Sequence, residues 1–334
     1  LIHKFIDYKS KFNRMKNIVN ISELKEGKTI QGFFLCVEKN LRHSKNGDPY
    51  LDLVLRDKTG KISAKIWNKI NEFELKFNSG DAVAIKGKME IYQNKKYLII
   101  DRINKATVQG YARFGFDPSL IIPSAKVDPK AMWKELSKYF KQIKNLKLRK
   151  MTVLAYNFYK KRVLYFPNTV DKNHNYMSGY LEHVLSLIKI ADFLSDYYKL
   201  DKDLMLLGAF FTDIGNLQTL KGGYQPIKKK EGLAVNCSYY SRDIMKKFSR
   251  KVSGIDKNIL LELEHIIISS YTPFERQNST LPSSKEALAL NSIKQLDANI
   301  NVFENIISLE ADEDGITSKH NLFGRQIFKF FNVD

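Results

Sequence analysis

The sequence predicts an α+β protein in which a five-stranded N-terminal β-barrel precedes an all-α helical bundle. Short runs of alternating apolar and polar residues fill the first third of the chain, whereas apolar residues recur at helical spacing from residue 128 almost to the end. Residues 110–127 separate the two patterns, with two prolines and no clear period. At 334 residues, 43% of them hydrophobic, the chain is long enough for two domains with separate cores.

The β-rich part contains five strand-like runs, separated by turn signals such as DKTG and NSGD. The predicted strands are residues 28–38, 50–57, 61–67, 81–92 and 96–103. A helical run, 71–77, lies between the third and fourth of them. This order predicts a Greek-key barrel of the OB type, a fold that commonly binds single-stranded nucleic acid on the face of its second and third strands.

Four side chains are predicted to point outward on those two strands, because they alternate with the apolar residues of the barrel interior. They are Tyr50, Arg56, Lys65 and Trp67. Two aromatic rings beside two cations suit base stacking combined with neutralisation of the phosphate backbone. The alternative is that Trp67 packs against the neighbouring helix.

The second part contains only helix candidates, interrupted by loops with Gly and Pro. The candidates are residues 128–144, 147–163, 177–198, 201–212, 238–249, 256–270 and 284–309. The domain boundaries predicted from this pattern are 15–109 for a nucleic-acid-binding barrel, 110–127 for a linker and 128–334 for a helical domain. The chain begins with Leu1, and Met15 is a candidate start.

The net charge of +19 is concentrated in two segments, residues 1–109 and 128–162, whereas the C-terminal half is balanced. Clustered basic charge favours a polyanionic partner, since each neutralised phosphate releases counterions. The alternative is a basic surface that only solvates the protein. No apolar run reaches the ~20 residues of a membrane span, so an integral membrane protein is excluded. Cys36 and Cys237 are isolated, which suits the reducing cytoplasm.

Four ionisable residues in apolar helical contexts are candidates for a buried site, because an unpaired charge there is costly. They are His183, Asp213, His265 and Asp297, each on a different predicted helix. Imidazole and carboxylate groups that converge in a bundle suit a hydrolytic divalent metal such as Mn²⁺ or Fe²⁺, with Mg²⁺ less favoured by nitrogen ligands. Each histidine taken alone is also compatible with a hydrogen-bonded core residue.

Three motifs carry a family resemblance: SGYLEH at 178–183, the block GAFFTDIG at 208–215, and the EA…LDA pattern that ends near residue 298. With these motifs the chain resembles the YhaM-type 3′→5′ exoribonucleases, in which an OB-fold domain precedes an HD domain. The resemblance spans roughly residues 19–330. It implies metal ligands at His183, Asp213, His265 and Asp297, and it places His174 on a further family histidine, with His174 and Asp213 as the catalytic residues.

The chain departs from the family pattern at several positions. Thr212 replaces the histidine of the His-Asp pair, Asn216 a lysine and Asn236 a histidine. Ser270–Tyr271 replaces a His-His pair, and Lys294 stands where the family has an aspartate. A threonine hydroxyl is a weak metal ligand, and a lysine in place of an aspartate disfavours a cation.

The resemblance implies hydrolysis of a single strand from the 3′ end, with RNA as the expected substrate and single-stranded DNA as the alternative. The lysines Lys228, Lys229 and Lys230 are predicted to guide the strand, and the alternative is that they form only a solvated turn. The competing hypothesis is a catalytically inactive pseudoenzyme that binds single-stranded nucleic acid without any metal. A nucleotide phosphohydrolase is a third possibility, but it leaves the basic charge of the N-terminal half unexplained.

Overall fold

The structure is a computed structural model, and it describes residues 18–44, 46–92, 95–170, 173–270, 281–311 and 314–329. It divides into two compact units, one that extends to Ser124 and includes Gly223–Gln225, and one that comprises Ala125–Gly222 and Pro226 onward. No described helix is both long enough and apolar enough to cross a membrane.

The first unit contains a closed barrel of five strands. They are β1 (Thr29–His43), β2 (Pro49–Arg56), β3 (Lys61–Ile66), β4 (Ala82–Tyr92) and β5 (Lys95–Lys105). Their order around the barrel is β1-β2-β3-β5-β4, and only the β3–β5 pair is parallel. Helix α1 (Ile70–Glu74) lies between β3 and β4, and α2 (Val108–Tyr111) follows β5. The predicted OB-type barrel is therefore confirmed.

Alternation of side chains along the strands places the apolar residues inside the barrel. In β2 the leucines at 51, 53 and 55 are all buried, whereas the residues between them are partly exposed. Both phenylalanines of the pair in β1 are buried: Phe34 lies in the barrel core, and Phe33 packs against Phe116 with ring centroids 5.0 Å apart. Burial raises the pKa of the Cys36 thiol to about 12.

Two local features, a close strand contact and a tight turn, shape the barrel. A Cβ atom at Gly87 would lie 2.2 Å from the carbonyl oxygen of Ile99, so only glycine allows β4 and β5 to approach at the bulge there. The predicted DKTG turn is held by Asp57, whose carboxylate accepts the N–H groups of Thr59 and Gly60 at 2.7 and 3.1 Å.

The second unit is a helical bundle. Its helices are α3 (Pro129–Phe140), α4 (Leu146–Val163), α5 (Gly179–Tyr198), α6 (Lys202–Phe211), α7 (Asn216–Thr219), α8 (Lys230–Ala234), α9 (Cys237–Ser249), α10 (Lys257–Ser269) and α11 (Lys285–Glu310). Most begin at a side-chain cap that the sequence signals, as when Asp201 accepts the N–H of Leu204 at 3.0 Å. The predicted helical domain is confirmed, with one addition: two-residue strands β6 (Leu220–Lys221) and β7 (Ile227–Lys228) pair as a hairpin within it.

Candidate functional site

Two aromatic rings and a lysine form a group on the outer face of the barrel. Tyr50 in β2 and Trp67, which directly follows β3, stack with ring centroids 4.6 Å apart and an angle of 27°. The Nζ of Lys65 lies 5.2 Å from the centre of the Tyr50 ring and 5.6 Å from that of Trp67. Trp67 is 40% exposed, so an aromatic face remains open to a base.

Neighbouring strands extend this face. Lys65 also lies 5.9 Å from the ring of Tyr97 on β5. The acidic residue opposite Lys65 is Asp52, and Arg42 pairs with its carboxylate at 3.0 Å. Because Arg42 neutralises Asp52, the face keeps the positive charge that a phosphate backbone requires.

Arg56 lies at the other end of β2, where it is opposite Lys61 and partly buried. Burial lowers the pKa of Arg56. The structure thus brings together three of the four predicted residues of this face and places Arg56 six residues further along the strand.

A second group of polar side chains is buried within the helical domain. His183 on α5 lies between two carboxylates: its Nδ1 is 2.5 Å from Asp297 Oδ2 on α11, and its Nε2 is 3.0 Å from Asp213 Oδ2 in the turn after α6. His183 and Asp213 are almost completely buried. Both ring nitrogens of His183 are therefore occupied by carboxylates.

The loop before α5 adds His174 to the same group. Its Nε2 lies 2.9 Å from Asp297 Oδ2, and its Nδ1 lies 2.7 Å from the hydroxyl of Tyr176. Tyr176 in turn donates to Glu182 at 2.5 Å. Ser186 donates to the other oxygen of Asp297. The carboxylate of Asp297 therefore contacts three side chains, two at Oδ2 and one at Oδ1.

Lys294 on α11 is the cation of the group. Its Nζ lies 2.8 Å from Asp213 Oδ1, and only 14% of the Lys294 side chain is exposed. Burial alone raises the pKa of Asp213, but the Lys294 ammonium and the hydrogen bond with His183 hold it well below its ordinary range. Lys294 thus supplies positive charge to the most deeply buried carboxylate of the group.

The same contacts set the charge of His183. Burial alone lowers the pKa of His183, but the hydrogen bonds with Asp213 and Asp297 outweigh it and raise that pKa above its ordinary value. Burial likewise acts to raise the pKa of Asp297, but hydrogen bonds from His174 and His183 lower it. These directions favour the protonated imidazole of His183 beside two ionised carboxylates.

The turn that carries Asp213 is fixed by close packing against α9. A Cβ atom at Gly215 would lie 2.1 Å from the carbonyl oxygen of Cys237. Ser241 Oγ accepts the N–H of Gly215 at 2.9 Å and donates to the carbonyl of Thr212 at 2.8 Å. Asp213 is therefore held toward His183 by backbone contacts on both sides.

Comparisons with known proteins identify relatives along nearly the whole chain. The 3′-5′ exoribonuclease YhaM of Listeria welshimeri is 26% identical over 307 residues, which is 92% of this chain and 96% of that protein. YhaM of Halalkalibacterium halodurans is 28% identical over 280 residues, 83% of this chain and 86% of that protein. The predicted resemblance to the YhaM-type exoribonucleases is confirmed.

The barrel has a family match of its own. Residues 36–106 match the OB-fold nucleic acid binding domain family tRNA_anti-codon. Among solved structures, the second OB-fold domain of replication protein A from Methanococcus maripaludis covers 27% of this chain and 94% of its own, at 22% identity and a TM-score of 0.23.

Part of the buried group of the helical domain has the side chains that a divalent metal requires, and part does not. Three potential ligand atoms lie within 4.8 Å of one another, one each from His174, His183 and Asp297. Two imidazoles and one carboxylate are suitable donors for a divalent ion. At the Asp213 end the residues do not fit, because Lys294 places an ammonium group against the carboxylate. The hydroxyl of Thr212 is hydrogen-bonded to Ser270 and is buried, so it supplies no ligand in place of a histidine.

The other predicted site residues lie apart from this group. His265 Nε2 accepts the backbone N–H of Ser283 at 2.9 Å, and His265 is not among the three residues whose ligand atoms cluster in the described part of the chain. Asn236 caps α9 by accepting the N–H of Ser238 at 2.9 Å. Tyr271 lies outside the described residues. Lys228, Lys229 and Lys230 run from β7 into α8.

Several contributing residues are absent from the sequence prediction. Tyr97 joins the aromatic face through the parallel β3–β5 pairing, which no local pattern announces. Ser186 reaches Asp297, and it lies three residues after His183 on the same helix, a spacing that could have identified it. Ser241 carried no local signal, because its role depends on contacts between distant segments.

Proposed function

We propose that this protein binds single-stranded RNA in the cytoplasm and that its helical domain, an HD-type domain, no longer cleaves the strand with a divalent metal. The proposed division is a barrel domain over residues 15–109, a linker over 110–127 and the HD-type domain over 128–334. It combines the strand-binding part of a YhaM-type exoribonuclease with a catalytically inactive site.

The barrel face supports strand binding. Tyr50 and Trp67 offer stacked aromatic rings, and Lys65 lies beside both. Aromatic rings bind bases of any sequence, and lysines bind the backbone, so the combination suits a single strand rather than a duplex. The charge of +10 over residues 1–109, the excess of 22 basic over 12 acidic side chains, favours the same partner.

The main support for a loss of cleavage is the contact between Lys294 and Asp213. A metal ligand must present an unshared electron pair, and the ammonium 2.8 Å from Asp213 Oδ1 already neutralises that carboxylate. Both ring nitrogens of His183 contact carboxylates, so His183 could bind a metal only by giving up one of these hydrogen bonds. The negative charge of Asp213 is therefore balanced within the protein, without a metal ion.

A 3′→5′ exoribonuclease is the second candidate, and the cluster of His174, His183 and Asp297 favours it. These three side chains would hold the ion, which supplies Lewis acidity toward the phosphate and a lowered pKa for water when bound. For this to occur, His183 must lose the proton that it shares with Asp297. Because two of the three donors are imidazole nitrogens, Mn²⁺ or Fe²⁺ would suit this site better than Mg²⁺.

Strand shortening and strand binding can be measured on the same samples. We expect 5′-labelled single-stranded RNA to be retarded in a gel by the protein, more strongly than DNA of the same sequence, and to keep its length with Mn²⁺, Mg²⁺, Fe²⁺ or EDTA. Shortening that requires a metal and disappears in the Asp213→Ala variant would establish the exoribonuclease instead. Absence of retardation at low salt would overturn RNA binding.

A further inference from the structure

A cavity of about 410 Å³ is lined by residues of α3 and α4 in the helical domain. Its size falls within the ~300–1,000 Å³ of typical small-molecule pockets. Successive lining side chains are three or four residues apart or adjacent, so they share one face of each helix. They include Lys130, Trp133, Lys134 and Ser137 on α3, and Tyr156 and Lys160 on α4. Neither the barrel face nor the buried His/Asp group contributes a residue to this cavity.

Trp133 lines the cavity and carries a buried donor without an acceptor. The residue is only 4% exposed, and among the described residues its indole Nε1–H finds no hydrogen-bond partner. A buried tryptophan N–H usually has a partner, and leaving such a donor unpaired is costly. A ligand in the cavity that brings an acceptor would remove this cost.

Tyr156 holds the indole ring in one orientation. The two rings stack with centroids 3.9 Å apart and an angle of 7°, and the Tyr156 hydroxyl donates to the backbone carbonyl of Trp133 at 2.6 Å. Burial raises the pKa of Tyr156 to about 12, so this hydroxyl keeps its proton at neutral pH. Because the indole is fixed before any ligand arrives, less conformational freedom is lost on binding.

Three exposed lysines, Lys130, Lys134 and Lys160, give the cavity its positive charge. Across the part of the chain that the structure describes, none of them forms an ion pair. The described residues that line the cavity include no carboxylate. The acidic residue next to Lys134, Glu135, instead pairs with Lys189 of α5 at 2.9 Å. These ammonium groups are therefore available to an anionic ligand.

A terminal phosphate group matches this combination of donors. At neutral pH it carries close to two negative charges and three acceptor oxygens, which suit ammonium groups and an indole N–H together. A phosphodiester within a nucleic-acid backbone has a single charge, and sugars are attached on both of its sides. The buried position of Trp133 therefore favours a terminal phosphate over a backbone phosphate.

We propose that this cavity binds a terminal phosphate group, as carried by small phosphorylated molecules. Lys130, Lys134 and Lys160 surround the phosphate, and the N–H of Trp133 donates to one of its oxygens. The volume beside Leu164 and Tyr156 accommodates the organic part of the ligand. This site goes beyond the proposed function and does not depend on RNA binding by the barrel.

The fluorescence of Trp133 tests this proposal in the full-length chain. The chain has two tryptophans, so Trp67→Phe leaves Trp133 as the only one. We expect its emission to change saturably with inorganic phosphate and with ribose 5-phosphate, but not with ribose. Ionic strength is kept constant with NaCl, because salt screens the exposed lysines. No saturable change with either phosphate compound would overturn the proposal.

Two lysine variants in the same background test the location of the site. Lys160→Gln removes an ammonium group from the cavity and should weaken ribose 5-phosphate binding about three- to tenfold. Lys150→Gln, at an exposed position of α4 outside the cavity, is the matched control and should not change the affinity. Equal affinities of the two variants would show that phosphate binds elsewhere and would overturn the proposal.

The role of the indole N–H is tested by calorimetry. Trp133→Phe keeps an aromatic ring and removes the donor, so ribose 5-phosphate should again bind about three- to tenfold more weakly than to the wild type. Thermal unfolding verifies that each variant is folded. An unchanged affinity of folded Trp133→Phe would contradict a hydrogen bond from the indole to the phosphate.

Short RNA distinguishes the two sources of a phosphate. Displacement of ribose 5-phosphate by a 5′-phosphorylated oligoribonucleotide, but not by its 5′-hydroxyl counterpart, would support a terminal-phosphate site that also accepts an RNA end. Failure of both oligoribonucleotides to displace it would support a site for small molecules alone. Equal displacement by both would assign the lysines to the strand backbone and overturn the proposal.

Discussion

At the scale of single residues, the helical domain contains a buried ion pair that bears on metal binding. Lys294 and Asp213 lie 2.8 Å apart, with the Asp213 side chain 2% exposed. Removing one partner of a buried pair leaves an uncompensated charge, which typically costs about 3–5 kcal/mol. Since Asp213 also keeps its hydrogen bond with His183, the lower end of that range applies here.

We therefore expect Lys294→Met to lower the free energy of unfolding by about 3 kcal/mol, measured by urea denaturation in EDTA. Lys285→Met changes an exposed lysine on the same helix and should stay within about 0.5 kcal/mol of the wild type. Equal stability of the two variants would show that Lys294 does not neutralise Asp213.

The charge of His183 predicts a pH dependence of stability. The pKa of His183 is raised in the folded state, so its contribution is complete below the ordinary value of about 6.5 and is lost as pH rises through the folded value. The pKa values of Asp213 and Asp297 are lowered, so their contributions are complete above about 3.9 and are lost as pH falls. The group is thus most stabilising between about pH 4 and 6.5.

In EDTA, the free energy of unfolding should fall above pH 6.5, by at most about 1.4 kcal/mol per pH unit for this one proton. His183→Gln removes the titrating ring and should flatten the slope, whereas His320→Gln, at an exposed position, should preserve it. The measurement is denaturation at a series of pH values. An increase in stability above pH 6.5 that depends on His183 would contradict a cationic imidazole.

At the scale of elements, β2 and β3 carry most of the proposed nucleic-acid face. Trp67→Ala removes a stacking ring that is 40% exposed, and loss of such a ring typically costs about 1–3 kcal/mol of binding. We expect RNA affinity in fluorescence titration to fall by roughly tenfold or more, and Trp67→Phe to retain most of it. Phe193→Ala removes an aromatic ring of α5 that is 66% exposed and should have no effect. Equal losses for Trp67→Ala and Phe193→Ala would contradict a specific face.

Most elements of this protein could be predicted from local sequence. The alternation of Leu51, Leu53 and Leu55 identifies β2, and caps such as Asp201 mark where helices begin. The hairpin β6–β7 could not be predicted, since two-residue strands have no period. Tyr97 was missed because the β3–β5 pairing that brings it to Lys65 joins distant segments.

The candidate site was only partly predictable for the same reason. The motifs identify His183, Asp213 and Asp297, and the structure brings these together with His174. They also name His265, which the structure pairs with Ser283 instead. The sequence shows that Lys294 occupies a position where the family has an aspartate. Its contact with Asp213 could not be predicted, because it depends on the packing of α11 beside the turn after α6.

At the scale of the whole molecule, the basic charge and the buried site have separate roles. The charge excess of residues 1–109 and 128–162 favours a strand, and such binding weakens steeply as salt concentration rises. The interior of the helical domain balances its own charges through His183 and Lys294. These separate roles agree with the proposed function, in which the protein binds RNA without cleaving it.

The melting temperature with and without Mn²⁺ shows whether the helical domain binds a divalent metal. A ligand that binds only the folded state raises the melting temperature. We predict no shift for the wild type and a rise of several degrees for Lys294→Asp, which replaces the ammonium beside Asp213 with a carboxylate. A rise in the wild type that disappears in His183→Ala would contradict this prediction and show that the helical domain holds a metal.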